Sequence, residues 1–176
     1  MTEKRFLKSA LLVLLCVGVQ GGCSSGMSTR APHVSNHSAV KPDGRWDAVD
    51  SRLVAREMVE DLLAQRWLDR FRRDHDRLPK LAVTGVRNLS HENLDTLTLA
   101  EAIQGALQHA AGVVLVERNA AGGSSADFLL SGTINTVLDS REPAARFYQL
   151  DLALIEGKTD RKVWARQKTV KKSFAR

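Results

Sequence analysis

The last third of the chain alternates apolar and polar residues, and this alternation constrains the fold more than any other feature. Three stretches, 127–138, 146–156 and 162–172, place every second residue on the same side of an extended strand. The connections at 140–145 and 157–161 are short enough to be hairpin turns. We therefore expect three antiparallel neighbouring strands that end the domain.

The region before these strands combines helices with short apolar strands. Asp47 or Asp50 can cap a first helix, which Leu78 and Pro79 end. Its apolar positions are read as one helical face of three-and-four spacing: Leu53, Val54, Met58, Leu62, Trp67, Leu68 and Phe71. A strand is predicted at 80–87, a second helix at 96–111, a strand at 113–117 and a Gly/Ser loop at 120–125. The inward side of the second helix is expected to carry Leu97, Ala100, Ile103, Ala106, Leu107 and Ala110.

This order of elements predicts an α/β domain. We expect a single sheet of about five strands, largely antiparallel in its C-terminal half, with two main helices packed on it. The composition, 43% hydrophobic and 26% charged, is that of an ordinary globular protein. Two cysteines exclude a disulfide scaffold and a four-cysteine zinc site.

The N-terminus has the pattern of an export signal. Lys4, Arg5 and Lys8 precede an apolar run at 10–19. Those ten residues would rise about 15 Å as a helix, half of a hydrocarbon core, so they are read as a signal peptide and not as a membrane span. The following Gln-Gly-Gly-Cys resembles a bacterial lipobox, in which the signal is cut before a cysteine whose thiol carries diacylglycerol. Cys23 is therefore the expected lipid attachment site, and by resemblance to lipoprotein sorting rules Ser24 permits transfer to the outer membrane.

Three segments follow from this reading. Residues 1–22 are the expected lipoprotein signal peptide, and 23–44 are the lipidated cysteine with a flexible linker rich in Ser, Pro and Gly. Residues 45–176 form the expected globular domain. Fully stretched, the linker would reach about 70 Å, which keeps the domain near its membrane on the periplasmic side.

Motifs for catalysis and metal binding are missing from the sequence. His33 and His37 are four residues apart, but they lie in the expected linker, where metal binding is disfavoured; His109 falls in the last turn of its helix and is read as structural. The aspartates of the β-rich half are read as solvated strand ends: Asp127, Asp139, Asp151 and Asp160. We expect no enzymatic activity, no cofactor and no metal.

Positive charge is concentrated at the C-terminus. Residues 158–176 contain eight Lys and Arg and one acidic residue, whereas the whole chain has a net charge of +6. Alternation places Arg166, Lys168 and Lys172 on the face that carries Trp164. These cations either protect an edge strand from aggregation or form an electropositive surface for an acidic protein partner or an anionic polymer. Nucleic acid is disfavoured because the export signal directs the chain out of the cytoplasm.

Four stretches of the chain carry a resemblance to a known family. They are, in order, DSRLVAREMVEDLLAQRWL (50–68), LAVTGVRNLSHENLDT (81–96), DFLLSGTINTVLD (127–139) and FYQLDLALIEGKTDRKVWARQKTVKK (147–172). With these stretches the sequence resembles the LpoB-type outer-membrane lipoproteins, which activate class A penicillin-binding proteins.

The resemblance implies a regulatory and non-catalytic role. Such a lipoprotein reaches toward a synthase of the inner membrane, docks on its small regulatory domain, and stimulates glycan polymerisation and peptide cross-linking. The loop after the first strand, 86–90, is expected to contribute to docking through Arg87, Asn88 and Ser90, although Asn88 can equally be a turn or cap residue. The partner-binding residues expected in addition are the cations of the last strand: Arg166, Lys168 and Lys172. We expect a monomer.

One segment departs from the family pattern. Relatives usually carry a helical stretch between the strands that correspond to 113–117 and 127–138, whereas only residues 119–125 connect them here. A crossover between parallel strands needs about a dozen residues or more. Either the strand at 113–117 pairs differently, or one face of the sheet is left bare as an apolar patch.

The sequence leaves two alternatives to the activator function, and both lack a feature that they need. An envelope assembly or secretion lipoprotein, related in fold to the curli-secretion lipoprotein, would need oligomers and membrane-inserting hairpins, and the connection at 140–145 is too short and polar for one. An enzyme acting on cell-wall glycan would need a placed pair of carboxylates, which the sequence does not indicate.

Overall fold

The computed structural model describes residues 33–35, 44–117, 125–137 and 139–173. Within these ranges the chain is an α/β domain with one mixed sheet and helices packed on it, as expected. The helices are α1 (Ala48–Leu63), α2 (Arg66–His75) and α3 (Thr96–Gln108). The strands are β1 (His33–Ser35), β2 (Lys80–Asn88), β3 (Val114–Leu115), β4 (Phe128–Val137), β5 (Ala145–Glu156) and β6 (Lys162–Ser173), in the sheet order β1-β6-β5-β4-β2-β3.

The C-terminal strands form the antiparallel meander that the alternation predicts. Phe128 stands opposite Glu156 at one end of the β4–β5 pair, and Val137 stands opposite Phe147 at the other. Four even-numbered residues of β5 face the helices and are buried: Tyr148, Leu150, Leu152 and Leu154. The periodicity therefore predicted both the strands and the face on which the core lies.

The expected first helix is in fact two helices. Asp47 caps α1 by accepting hydrogen bonds from the backbone N–H groups of Val49 and Asp50, at 2.7 and 3.1 Å. The helix ends at Leu63, and the Trp67 indole N–H donates to the Leu62 carbonyl at 2.8 Å. A continuous helix would pair that carbonyl with the amide four residues on. The break rotates α2 so that its aromatic side chains pack on the start of β4.

The expected second helix is α3, which ends three residues earlier than predicted. The residues that it presents to the core also differ in part from the expected ones. Leu97, expected inside, is 68% exposed, which is an error of the sequence reading. Leu99, Ile103 and Leu107 take the inward positions at four-residue spacing. The helix ends at Gln108, where the His109 ring Nδ1 lies 2.7 Å from the Gly105 carbonyl, so this histidine is a cap residue.

The position of the short strand β3 shows how the sheet forms although the helical stretch of the relatives is missing. β2 lies between β3 and β4 and is parallel to both, so β3 pairs on the side of β2 away from β4. The connecting residues 118–124 lie outside the described part of the chain. Of the helices that are described, none covers the second face of the sheet, and the centre of that face is half-buried and small or polar, not a large apolar patch: Ser131, Thr133, Asp151 and Ala153.

The expected linker contributes one short strand. His33–Ser35 pairs in parallel with β6, in a register that places His33 opposite Lys168. The unpaired backbone groups of an edge strand favour such an addition. The signal peptide, Cys23, His37 and most of the linker fall outside the described residues, so the segment boundaries stay predictions.

Asp127 joins the starts of β2 and β4, so it is not merely a solvated strand end. Its carboxylate accepts two hydrogen bonds from the Arg77 guanidinium, both at 2.7 Å, and one from the Lys80 backbone N–H at 2.8 Å. The bond from Arg77 is the largest cause that lowers the pKa of Asp127 below its ordinary value. A carboxylate with a lowered folded pKa stabilises the fold above the unfolded pKa and loses this effect as the pH falls through the folded value.

Asp127→Asn is therefore expected to lower the melting temperature at neutral pH by about 2–4 °C. The difference from the wild type should shrink as the pH falls below about 4, where the unfolded carboxyl begins to bind its proton. Thermal unfolding at a series of pH values measures this. A difference that stays constant into acid would contradict the role of the ionised carboxylate.

Candidate functional site

Arg87 lies near the end of β2, on the face of the sheet that the described helices leave open. Its Cα stands opposite Thr133 of β4, and its side chain is exposed. Leu89 follows with a side chain that is 56% exposed, while its backbone N–H donates to the Ile134 carbonyl at 2.8 Å. The sheet thus holds a cation and a large apolar side chain firmly at the surface.

Asn88 and Ser90 build the turn that follows. The Asn88 side-chain carbonyl accepts hydrogen bonds from the Ser90 backbone N–H at 2.9 Å and from the Ser90 hydroxyl at 2.7 Å. The Asn88 amide donates to the Glu92 carbonyl at 2.7 Å. The side-chain carbonyl and the side-chain amide of Asn88 are therefore both hydrogen-bonded within the loop, which favours the interpretation of Asn88 as a turn residue. Whether Asn88 and Ser90 also contact a partner stays a prediction.

A buried tyrosine anchors this loop to the sheet. The Tyr148 hydroxyl donates to Glu92 Oε2 at 3.0 Å, and Arg146 Nη1 lies 3.8 Å from the same oxygen. Burial, and then the contact with Glu92, raise the pKa of Tyr148 above its ordinary value. The Trp46 ring packs against Tyr148 at 5.5 Å between centroids. We define residues 87–92, held in this way, as the β2 loop.

Beside the β2 loop, the open sheet face forms a shallow concavity of about 680 Å³. Arg87 and Arg166 both contribute to its lining, together with Thr133, Asp151, Lys162 and Gln167. The guanidinium of Arg166, however, lies 3.4 Å from Asp61 of α1, so part of its charge is already compensated. Arg87 and Lys162 are the exposed cations of this concavity.

Lys168 and Lys172 do not form part of an exposed basic surface, and this expectation was wrong. Both side chains point toward α1 and are buried, with 6% and 3% of their surfaces exposed. Lys172 Nζ lies 2.9 and 2.8 Å from the two carboxylate oxygens of Asp50, and Lys168 forms an ion pair with Glu57. Burial lowers the pKa of Lys168 below its ordinary value.

The physical reason for this error lies on α1. Asp50, Glu57 and Asp61 recur at seven and four residues, so they form one acidic row on the side of α1 that faces β6. Asp61, Glu57 and Asp50 pair with Arg166, Lys168 and Lys172 of β6, respectively. Asp61 also accepts a hydrogen bond from the Trp164 indole N–H at 3.2 Å. The acidic row on the predicted inward side of a helix was the signal that could have indicated buried ion pairs.

No group of three or more His, Cys, Asp or Glu side chains in the described ranges is placed to hold a metal ion. Among the helices described above, none is long and apolar enough to cross a bilayer. The expected lipid attachment at Cys23 lies outside these residues and stays a prediction.

Comparisons with known proteins agree with this fold. Residues 50–125 match the family model described as the peptidoglycan-synthase activator LpoB. The LpoB C-terminal domain from Escherichia coli is 15% identical with a TM-score of 0.51, and the match covers 69% of this chain and 98% of that domain. The LpoB C-terminal domain from Salmonella enterica is 15% identical with a TM-score of 0.41, covering 58% and 91%. No curated protein matches the chain significantly.

At such identities the structural likeness shows the fold, while the family model carries the relationship. LpoB-type proteins are outer-membrane lipoproteins that regulate a synthase and are not themselves a catalytic family. The family match and the shared fold therefore confirm the resemblance drawn from the sequence, and the chain is similar to the LpoB family of peptidoglycan-synthase activators.

Proposed function

We propose that this chain is an outer-membrane lipoprotein, anchored through Cys23 and facing the periplasm, that binds and activates a class A penicillin-binding protein. The contact is made with the regulatory domain of the synthase, and the chain itself catalyses no step. The family match over residues 50–125 supports the class of partner. The fold supports a binding role, because its rigid loops present side chains from a fixed scaffold.

The observation that carries the proposal is the position of Arg87. It is exposed beside a concavity on the open sheet face, at the start of a loop that is fixed by Asn88, Ser90 and Glu92. A loop that is already ordered loses little conformational entropy when it binds. The exposed leucine next to Arg87 adds apolar area to the same surface.

Activation requires more than attachment. A synthase with active and inactive conformations is shifted only by a ligand that binds the active one more tightly. A hundredfold preference would correspond to about 2.7 kcal/mol of coupling. The β2 loop and the concavity are the surfaces that we assign to this differential contact, and the lipid anchor supplies only proximity.

Arg87→Glu is expected to weaken binding to a purified class A penicillin-binding protein at least tenfold, about 1.4 kcal/mol, because it reverses an exposed charge beside the concavity and at the start of the β2 loop. Affinity is measured by surface-immobilised binding of the full chain in detergent, at low and moderate salt. The rate of glycan polymerisation is measured at saturating wild-type chain and at the same concentration of the variant.

Lys158→Glu is the matched control, since it reverses an exposed cation on the β5–β6 turn, outside the lining of the concavity. It should leave binding within about twofold of the wild type, and the melting temperatures of both variants should remain close to that of the wild type. If Arg87→Glu and Lys158→Glu weakened binding to the synthase equally, Arg87 would have no specific role in the contact. No increase in polymerisation at saturating wild-type chain would refute the activator function.

The competing assembly or secretion function gains no support from the family match. The β4–β5 connection is a compact turn, in which the Glu142 backbone N–H donates to the Asp139 carbonyl and the Ala145 N–H donates to the Glu142 carbonyl, both at 3.0 Å.

A further inference from the structure

A second concave surface lies on the helix side of the sheet, between α1 and α3. It is a groove of about 530 Å³, and its floor is apolar. The floor residues are Val59, Leu63, Ala102, Gly105, Ala106 and Ala110. Ala102, Gly105 and Ala106 belong to α3, and Ala110 follows its C-terminal end, so the four lie three or four residues apart along one side. Their small side chains leave a channel along α3 of the kind into which the side-chain ridge of another helix packs.

Two arginines form one rim of this groove. Arg52 and Arg56 are exposed and one turn apart on α1, about 6 Å along the helix axis. No acidic side chain in the described part of the chain lies within ion-pair distance of either guanidinium. Glu60 is the one carboxylate among the lining residues, so the rim has an excess of positive charge. Carboxylates at matching spacing on a partner would compensate it.

Gly105 is a further sign of an external contact. It is the tenth residue of the thirteen-residue helix α3, in a helix interior where glycine is unfavourable. Apart from its chain neighbours and the backbone of its own helix, a Cβ atom on Gly105 would meet no atom within 4 Å. The packing of this domain therefore does not need a glycine here, whereas close approach of another backbone to the groove floor would need one.

We propose that the groove between α1 and α3 binds an amphipathic helix of a partner protein. The apolar face of that helix is narrow and built of small side chains at its centre, and two carboxylates one turn apart pair with Arg52 and Arg56. This surface lies on the other side of the sheet from Arg87. It gives the chain a second binding site that is independent of the synthase contact proposed above.

The test uses two synthetic helices of about four turns that share one apolar face of Ala, Gly and Leu. One peptide carries glutamates at i and i+4 along the edge of that face, and the other carries lysines. Fluorescence anisotropy with the full chain in detergent should show at least tenfold tighter binding of the glutamate peptide. Gly105→Leu, which fills the groove, should reduce that affinity at least tenfold. Arg52→Glu combined with Arg56→Glu should reverse the preference in favour of the lysine peptide.

Two variants separate binding from folding. Gly105→Ala adds only a methyl group in open space, so its melting temperature should equal or exceed that of the wild type. The double arginine variant changes only exposed side chains and should unfold as the wild type does. Equal affinity for the two peptides, or no loss on Gly105→Leu, would overturn the proposal.

Two other results would assign a different occupant to the groove and would also overturn the proposal. A concentration-dependent dimer that Gly105→Leu abolishes would make a second copy of the chain the occupant. Binding to anionic vesicles that the arginine reversals abolish, without peptide binding, would make a lipid surface the occupant. None of these measurements contains a synthase, so failure here leaves the activator function untouched.

Discussion

Replacement of Lys172 by methionine is expected to destabilise the domain by about 3–5 kcal/mol, because it leaves a buried carboxylate without its cation. The side chains of Lys172 and Asp50 are 3% and 2% exposed, and the ammonium lies 2.9 and 2.8 Å from the two carboxylate oxygens. Methionine retains an unbranched apolar stem of similar length but cannot compensate the charge. Urea unfolding of the full chain in detergent measures the change as a lower midpoint.

A double variant separates charge from packing. Asp50→Asn combined with Lys172→Met removes both charges, and the asparagine can still accept the Asp47 N–H that Asp50 accepts at 2.9 Å. We expect it to recover part of the lost stability, since no unpaired charge stays buried. Lys162→Met, at an exposed position of the same strand, should change the free energy of unfolding by no more than about 0.5 kcal/mol. If Lys162→Met and Lys172→Met lowered the free energy of unfolding equally, the buried ion pair would contribute no more to stability than an exposed lysine does.

This ion pair also shows where sequence reasoning stops. Alternation correctly placed Lys168 and Lys172 on the Trp164 face, because a period of two depends only on local backbone geometry. Whether that face meets water or a helix depends on α1, and Asp50 is 122 residues away from Lys172. The same local pattern is compatible with an exposed basic stripe and with a row of buried ion pairs. Only the tertiary packing distinguishes them.

The candidate site, too, was only partly predictable from the sequence. Arg87 and its neighbours could be expected from the end of an apolar strand and from the family resemblance. The contact between Tyr148 and Glu92 joins residues 56 positions apart, and nothing in the pattern of β5 distinguishes Tyr148 from an ordinary core residue. The break between α1 and α2 was missed because the apolar residues on its two sides were read as one helical face, although the step from Leu62 to Trp67 is five residues. The deciding contact is the hydrogen bond of the Trp67 indole, which periodicity does not report.

Replacement of Phe128 by alanine is expected to lower the free energy of unfolding by about 3–5 kcal/mol. Phe128 is 4% exposed, and its ring meets Trp67 edge-on at 5.0 Å and Phe71 at 5.4 Å between centroids. These two residues of α2 pack on the first residue of β4. Removing the ring therefore opens a cavity under α2 and deletes the aromatic contacts that hold this helix to the sheet.

The effect should be local as well as global, and hydrogen exchange can separate the two. In Phe128→Ala, the backbone amides of α2 should lose more protection than those of α3, which packs against α1, β2 and β3. Phe128→Leu, which fills most of the space, should restore much of the protection, and Leu97→Ala, at a 68% exposed position, should change little. If α2 and α3 lost protection equally, α2 would be attached by more than its aromatic contacts. A selective loss in α2 would show that the helix break serves to bring Trp67 and Phe71 onto β4.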